Sequence, residues 1–347
     1  MRVQDTAGRP ESALKAAKSR KRAFPGPENR ASANLGPVGR IGLVETGGTI
    51  GSKTAADGVM LDGRDLFAGS PDRDFIRRQP VRMFSEDAEP ADWILIAESI
   101  IELDKEGLDG CLVLHGTDTM AFTAAYLSFA LAGLAFPVVL TGSSVPGHDP
   151  DSDAMTNIED ALVALDGLPP GVYVSFSGRP GIPSRVHLGT RVRKMRLPGA
   201  GPYLSPASTP VAEVAYGTLR LLQELPLPRP VNVKPGWEPV CWLRMYPGVP
   251  LPKKVKEELI MIELYPSSTA PARLEDFIDS HGDREVFLIT PDGRTVSHDY
   301  PSGRFLGRAT PLAMTPEAAY TKIGWAASSS DLRETVLNDI CGETFRI

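Results

Sequence analysis

The sequence predicts an α/β fold: a larger N-terminal domain with a mainly parallel sheet flanked by helices, followed by a smaller α/β C-terminal domain. Two observations support this prediction. From residue 40 onward, short apolar runs alternate with helical patterns, and a proline-rich stretch separates two such series. With 347 residues, 42% of them hydrophobic and 23% charged, the chain is long enough for two domains that each bury a core.

The first series begins with a buried-strand pattern, IGLVET (41–46). The buried face of a helix follows, marked by Trp93, Ile96, Ala97 and Ile100. The next elements are the strand CLVLHG (111–116), a helix over Met120–Leu134, the strand FPVVLTG (136–142), the helix DAMTNIEDALVAL (153–165) and the strand GVYVSFSG (171–178). Right-handed crossovers place the strand-to-helix loops on one sheet edge, so the loops after residues 46, 114 and 141 should converge.

Proline marks the boundary between the two series. The stretch from Leu197 to Pro252 contains LPGAGPYLSPASTP and ELPLPRPVNVKPGWEP, which break regular elements. The expected segments are a disordered leader over residues 1–39, an N-terminal domain over 40–225, a proline-rich linker over 226–240 and a C-terminal domain over 241–347. In the last domain we expect the strand ELIMIELYP, the helix ARLEDFIDSHG, the strand EVFLITPDG and the helix TPEAAYTKIGWAA, capped by Thr315.

The charge balance limits the classes of partner. A net charge of −6 argues against nucleic acid or an anionic membrane surface, because both require a basic excess, and it favours a small-molecule partner. The three cysteines lack metal-ligand spacing and their odd number leaves no complete disulfide framework, which indicates a reducing compartment. No apolar run reaches the length of a secretory signal or a membrane span, so we expect a cytoplasmic protein.

The stretch ETGGTIGS (45–52) follows the first strand with two hydroxyls around a Gly-Gly pair, and three interpretations are open. It lacks the lysine of a P-loop and the spacing of a dinucleotide fingerprint, which weakens a phosphate-binding role. Glycines also permit a tight turn that presents Thr49 as a nucleophile. The third interpretation is a plain turn whose threonine caps its own backbone.

A second motif, HGTDTM (115–120), follows the next strand and should open onto the same sheet edge. It places Thr117 and Asp118 just before a helix N-terminus, where an aspartate is often only a cap. A hydroxyl nucleophile needs a group that takes its proton, and a threonine, a carboxylate and a lysine on converging loops can provide one.

The lysine candidate lies in GTRVRK (189–194), expected on the loop after the GVYVSFSG strand. Lys194 has Arg191 and Arg193 as neighbours, whose positive charge would lower its affinity for a proton and make it a better base. The alternative is a solvated basic turn, which is the usual meaning of such a run.

Together, ETGGTIGS, HGTDTM, VVLTGS and SDAMTNIEDAL resemble the bacterial-type L-asparaginase and glutaminase family, most closely its intracellular type I branch. The two threonine motifs are highly specific as a pair, and the resemblance runs in order from about Ile41 to about Leu165. GTRVRK matches the family's catalytic-lysine loop less tightly but in the expected place. MYPGV, ELIMIELYP and AMTPEAAYTKI resemble landmarks of the family's C-terminal domain.

The resemblance implies roles for individual residues. Thr49 matches the nucleophile that attacks a side-chain amide, releases ammonia and forms an acyl-enzyme ester. The second catalytic group, which relays protons and activates water, is matched by Thr117, Asp118 and Lys194. The resemblance implies neither a cofactor nor a metal.

Substrate contacts are implied in the same way. Asp118 matches the residue that holds the α-amino group, and Ser85 of SEDAEP matches the residue that binds the α-carboxylate. Glu86 is beside Ser85, and Gly48 and Gly116 precede the two threonines, where backbone amides would stabilise the oxyanion.

Three positions depart from the family pattern. The loop after ETGGTI usually carries a tyrosine that supports the nucleophile, whereas TAADGVMLDG has Val59 and Met60. Glu86 replaces a neutral polar residue, and its charge would repel a free α-carboxylate and favour a cation. In YPSSTAP, Thr269 replaces an asparagine of a loop that reaches the neighbouring subunit's site, which removes a polar contact to the substrate's amino group.

These departures leave the substrate open between L-asparagine and a modified or peptide-borne asparagine. They also leave room for a catalytically weak relative that binds or senses an amino acid, and a nucleotide-binding module is the third hypothesis. The archaeal tRNA-dependent amidotransferase subunit shares the motifs, but the leader is not its extra N-terminal domain and the acidic charge fits tRNA poorly. By analogy with the family we expect a homodimer or a homotetramer.

Overall fold

The computed structural model of the chain describes residues 39–62, 73–177, 179, 181–195, 201–294 and 307–345. By its internal contacts the chain divides into two units, Met1–Asn34 and Leu35–Ile347, and every described residue belongs to the second. The expected leader, except for Gly39, lies outside the described residues.

Strands and helices of the described residues follow in chain order. The strands are β1 (Arg40–Glu45), β2 (Ser52–Ala55), β3 (Gly58–Leu61), β4 (Asp74–Arg78), β5 (Gly110–Leu114), β6 (Pro137–Thr141), β7 (Gly171–Phe176), β8 (Ser184–Leu188), β9 (Arg193–Lys194), β10 (Tyr203–Leu204), β11 (Ala212–Ala215), β12 (Thr218–Leu221), β13 (Val240–Arg244), β14 (Leu259–Glu263), β15 (Glu285–Ile289) and β16 (Thr310–Pro311). The α-helices are α1 (Pro90–Asp104), α2 (Met120–Ala130), α3 (Ala154–Gly167), α4 (Arg273–Ser280), α5 (Pro316–Ala326) and α6 (Leu332–Leu337).

The larger sheet has eight strands in the order β12-β11-β8-β7-β6-β5-β1-β4. The run from β7 to β4 is parallel, and β8, β11 and β12 extend it with antiparallel pairs. Helices cover both faces of this sheet, so alternate residues of one strand pack in different cores. Val113 packs in the core that contains α1 and α2, and Leu112 packs in the core that contains α3. The predicted α/β fold class is confirmed.

The smaller sheet is parallel, with its strands in the order β13-β14-β15-β16. Its predicted strands β14 and β15 and the helices α4 and α5 are all present. The predicted cap of α5 is also present: the Thr315 hydroxyl accepts a hydrogen bond from the amide of Ala318 at 3.2 Å. The division into two domains stays a prediction.

The proline-rich stretch from Leu197 to Pro252 contains more regular structure than the sequence indicated. Strands β10 to β13 all lie within it. Pro210 and Pro239 stand just before β11 and β13 rather than within them, so neither proline removes a hydrogen bond from a ladder.

The C-terminal residues are tied to α5 by a fully buried ion pair. Lys322 and Glu343 are both 0% exposed, and the Lys322 ammonium donates hydrogen bonds to Glu343 Oε1 and to the carbonyl oxygen of Asn338. The Glu343 carboxylate also accepts from the amides of Ile340, at 3.0 Å, and Cys341, at 2.7 Å. Removing one partner would leave an uncompensated charge in the core.

We therefore expect Glu343→Ala to lower the free energy of unfolding by about 3 to 5 kcal/mol, because Lys322 would remain as an unpaired buried cation. Urea denaturation at neutral pH measures this loss. Glu285→Ala is the control, since it breaks an exposed pair with Arg333 and should cost at most about 1 kcal/mol. Equal losses for the two variants would contradict the expectation.

Candidate functional site

The loops that follow β1, β5 and β6 meet at one edge of the large sheet, as the sequence predicted. The Thr46 amide donates to the carbonyl oxygen of Leu114 at 3.0 Å, and the His115 amide donates to that of Thr141 at 2.9 Å. These hydrogen bonds extend the parallel ladder past the ends of the strands. They bring the ETGGTIGS and HGTDTM loops side by side.

Gly48 and Gly116 are the point of contact between those two loops. A Cβ built on Gly48 would lie 2.3 Å from Gly116 Cα, a distance that no side chain can occupy. Gly48 also has a φ of +74°, in the left-handed region that favours glycine. Glycine at position 48 is therefore required for the close packing of the two loop backbones. Because this packing covers Gly48, that part of the Gly-Gly turn is closed to a phosphate.

Thr49 begins a 3₁₀ turn, Thr49–Gly51, and is partly buried. Its carbonyl oxygen accepts hydrogen bonds from the Ser52 hydroxyl at 2.7 Å and from the Gly147 amide at 3.0 Å. The backbone of Thr49 is thus fixed from two sides. The Gly48 amide donates to the carbonyl oxygen of Met83 at 2.8 Å, so this amide already has a partner.

Ser85 joins a third loop to the same place. It is 3% exposed, and its hydroxyl accepts from the Asp118 amide at 3.1 Å, while its carbonyl oxygen accepts from the Thr119 hydroxyl at 2.7 Å. A Cβ on Gly116 would lie 2.6 Å from Ser85 Oγ. The neighbouring residue Glu86 is exposed.

Lys194 contacts two of the predicted residues directly. Its ammonium donates to Thr117 Oγ1 at 2.7 Å and to Asp118 Oδ1 at 2.6 Å. The side chain of Lys194 is 15% exposed and that of Asp118 is 62% exposed. The cap of α2 is Thr119 rather than Asp118, so the Asp118 carboxylate is free to pair with the lysine instead of capping the helix.

The route of the chain to Lys194 differs from the one expected. GTRVRK follows the antiparallel strand β8, not β7. A Cβ on Gly189 would lie 2.9 Å from the Ala124 carbonyl oxygen of α2, so this segment packs against that helix and then reaches Thr117, before its N-terminus. β8 runs antiparallel to β7. An apolar run in the sequence does not show that the chain reverses direction, which is why the sequence did not indicate β8.

Both arginines of GTRVRK have partners elsewhere in the chain, and the positive charge of Arg193, which was expected to lower the proton affinity of Lys194, is compensated by a carboxylate. Arg193 pairs with Glu317, with Nε 2.9 Å from Oε1. Arg191 donates to the carbonyl oxygens of Gly342, at 2.5 Å, and Thr344, at 3.2 Å. Both guanidiniums therefore connect the segment to C-terminal residues.

Tyr203 and His115 support the site and were missed from the sequence. The buried Tyr203 phenol donates to the carbonyl oxygen of Thr117 at 2.6 Å, and burial raises its pKa well above the usual value, so it remains a donor. Burial lowers the pKa of His115 to about 4, which leaves the ring neutral. Its Nδ1 is 2.7 Å from the Gly116 carbonyl oxygen and its Nε2 is 2.9 Å from the Thr123 hydroxyl, so Nδ1 donates and Nε2 accepts.

The departures from the family pattern have these places in the structure. Val59 and Met60 lie on the β2–β3 hairpin directly after the Thr49 turn, and each is 48% exposed. Thr269 closes a turn after β14, where its carbonyl oxygen accepts from the Tyr265 amide at 2.9 Å.

Within the described ranges, no three His, Cys, Asp or Glu side chains form a metal-binding group. None of the helices described there is long and apolar enough to cross a membrane.

Comparison with known sequences identifies the family of the chain. The sequence model described as "Asparaginase, N-terminal" matches residues 40–227. The L-asparaginase of Thermococcus kodakarensis is 30% identical over 331 residues, which cover 87% of this chain and 98% of that protein. A Glutamyl-tRNA(Gln) amidotransferase subunit of Methanothermobacter thermautotrophicus is 30% identical over 338 residues, which cover 87% of this chain and 76% of that protein.

Solved structures give the same result. The thermostable L-asparaginase from Thermococcus kodakarensis superposes with a TM-score of 0.76 at 27% identity, covering 89% of this chain and 100% of that one. L-asparaginase I from Vibrio cholerae superposes with a TM-score of 0.72 at 26% identity, covering 89% of this chain and 99% of that one. The chain therefore belongs to the asparaginase/glutaminase family.

Proposed function

We propose that the chain hydrolyses a side-chain amide, converting L-asparagine or a related amide to the acid and ammonia, with Thr49 as nucleophile. Family membership supports a hydrolase that acts on amides. The observation that carries the finer proposal is the placement of the Lys194 ammonium 2.7 Å from Thr117 Oγ1 and 2.6 Å from Asp118 Oδ1. The Gly48–Gly116 contact brings that group alongside the Thr49 turn.

In the first half of the reaction, Thr49 Oγ attacks the amide carbon and loses its proton. The tetrahedral intermediate collapses, the C–N bond breaks, and the nitrogen leaves as ammonia after taking up a proton. The amides of Gly48 and Asp118 already donate to Met83 and Ser85, so we assign oxyanion stabilisation to the N–H groups of Thr49 and Thr117.

In the second half, water attacks the Thr49 ester and restores the hydroxyl. Lys194, Thr117 and Asp118 supply the proton transfers that this step requires. Lys194 donates to the Thr117 hydroxyl, which leaves the proton of that hydroxyl available for a water or a substrate atom. We assign binding of the substrate's α-amino group to Asp118, whose exposed carboxylate supports this role, and binding of its α-carboxylate to Ser85.

A second candidate function comes from the relatives that are named as subunits of Glutamyl-tRNA(Gln) amidotransferase. That name describes one component of a larger amidotransferase, and release of ammonia from an amide would be the step shared with the first proposal. A binding role without turnover is the third candidate. An ammonia-release assay on asparagine, glutamine and capped peptides separates turnover from binding.

We further propose that the chain acts in the cytoplasm as a homodimer or homotetramer, with a small-molecule amide as its substrate. This assembly follows from the resemblance, in which a neighbouring subunit's loop completes each site. Thr269 lies in the loop that matches that element.

Thr49→Ala and Thr117→Ala should each reduce ammonia release by at least about a thousandfold, because each removes a reacting hydroxyl. Neither side chain fills the core, so thermal unfolding should be unchanged. Thr218→Ala, at an exposed position of edge strand β12, is the matched control. Near wild-type ammonia release by Thr49→Ala would show that the nucleophile is another group.

Lys194→Met should be nearly as damaging as Asp118→Ala, since the two side chains act as one proton-transfer unit. The double variant should then lose little more than either single variant, which a double-mutant cycle of kcat measures. Lys105→Met, which removes an exposed lysine at the end of α1, is the control. If Lys194→Met behaves like that control, Lys194 takes no part in the reaction.

Glu86 should weaken the binding of free asparagine, because its charge would stand beside the Ser85 position for the α-carboxylate. Glu86 is exposed and therefore screened by solvent, so the expected effect on KM is about three- to tenfold. Asparagine amide should consequently be a better substrate than asparagine, and Glu86→Gln should narrow the gap. Asp87→Asn changes an adjacent exposed carboxylate as a control. Efficient use of free asparagine that Glu86→Gln leaves unimproved would defeat this proposal.

A further inference from the structure

The arginine next to Lys194 is held by a distant part of the chain. Arg193 Nε donates to Glu317 Oε1 at 2.9 Å, and its Nη1 donates to the carbonyl oxygen of Pro291. Pro291 lies shortly after β15 and Glu317 lies in the first turn of α5. The side chains of the ion pair are 21% and 9% exposed. A guanidinium that is shielded from water and bound at two of its nitrogens is confined to one geometry.

Arg193 and Lys194 are the two residues of β9, and successive side chains of a strand point to opposite faces. Arg193 is directed to α5, whereas Lys194 is directed to Thr117 and Asp118. The backbone of β9 is held by β10, with Tyr203 opposite Lys194. Fixing Arg193 therefore fixes the direction in which the lysine side chain leaves the backbone.

The first turn of α5 makes a second contact with the same segment. The hydroxyl of Thr315, the cap of this helix, donates to the carbonyl oxygen of Thr190 at 3.2 Å. The N-terminal end of α5 therefore holds this segment at two points, Thr190 and Arg193, and Arg193 immediately precedes Lys194. This arrangement has the form of a brace between α5 and the lysine.

We propose that Glu317, acting through Arg193, is a positioning residue that sets the distance between Lys194 and Thr117. The proposal rests on the proposed function, in which Lys194 moves a proton. A lysine amine on its flexible four-carbon stem reaches Thr117 Oγ1 at 2.7 Å only while its backbone is held. A displacement of about 1 Å can cost about a hundredfold in rate even when the altered residue is far from the chemistry.

Glu317→Gln tests the brace, because glutamine keeps the size and one acceptor oxygen but removes the charge. We expect kcat on L-asparagine or asparagine amide to fall by about ten- to a hundredfold, with KM within about twofold, since Glu317 does not touch substrate. Glu285→Gln is the control: it makes the same substitution in an exposed ion pair, between β15 and Arg333, and should change neither constant. Arg193→Lys tests the same brace should Glu317→Gln fail to fold, because it keeps a cation beside Glu317 but loses the fork that also reaches Pro291. It should lose kcat in the same way.

The deciding measurement repeats Glu317→Gln in a Lys194→Met background. A positioning role predicts no further loss of kcat there, because no amine remains to be positioned. The same fractional loss in both backgrounds, or a raised KM with unchanged kcat, would overturn the proposal and make the pair merely structural or substrate-binding. If Lys194→Met is inactive while Glu317→Gln is fully active, the positioning role of Glu317 is wrong and the proposed function is unaffected. Wild-type turnover by Lys194→Met would remove the proton-transfer role of the lysine and, with it, the need for the brace.

Discussion

The contact between the backbones of Gly48 and Gly116 is the constraint on which the site depends. A Cβ on either residue would clash, with Gly116 Cα at 2.3 Å in one case and Ser85 Oγ at 2.6 Å in the other, so three loops pack together with no space for a side chain. The contact is built on β1 and β5, which pair continuously from Ile41 opposite Gly110 to Glu45 opposite Leu114. Because the spacing is set by main chain and by a buried parallel ladder, the two threonine loops have little freedom to separate.

Lys194 lies beside these two rigid loops, on a segment that is held in place by other parts of the chain. Its neighbours Thr190, Arg191 and Arg193 contact residues of the C-terminal part of the chain, and Lys194 contacts Thr117 and Asp118. The charge of Arg193 is balanced by Glu317, whereas the lysine ammonium faces an exposed carboxylate. Neighbouring cations of one short stretch therefore have separate tasks, which a basic run in the sequence cannot reveal.

Local pattern was enough to predict four strands of the parallel core, though not β4 at its edge, and the candidate site loops. The apolar runs of β1, β5, β6 and β7 and the buried face of α1 repeat with the spacing of their elements, so they are readable one at a time. Strands β8, β11 and β12 were not predicted: β8 is mostly buried but has the mixed sequence SRVHL, and β11 and β12 are partly exposed, so none of them forms an apolar run. In the site, the Thr117, Asp118 and Lys194 contact was expected from motifs, but Tyr203 and Glu317 contact partners far along the chain, Thr117 and Arg193 respectively. Long-range partners of this kind have no local spacing to recognise.

The attachment of the segment that carries Lys194 has a consequence for the order of folding. Thr117 and Lys194 are 77 residues apart, Arg193 and Glu317 are 124 apart, and Arg191 and Thr344 are 153 apart. Closing the two longest of these loops costs more conformational entropy than the β5–β6 pairing, in which Cys111 lies opposite Val138. We therefore expect the contacts of Arg191 and Arg193 to form after the sheet, so that the Lys194–Thr117 contact is completed late, when residues near the end of the chain have docked. Under the proposed function, an intermediate with a nearly complete sheet would show no activity, so recovery of activity after refolding would report on this last step rather than on formation of the core.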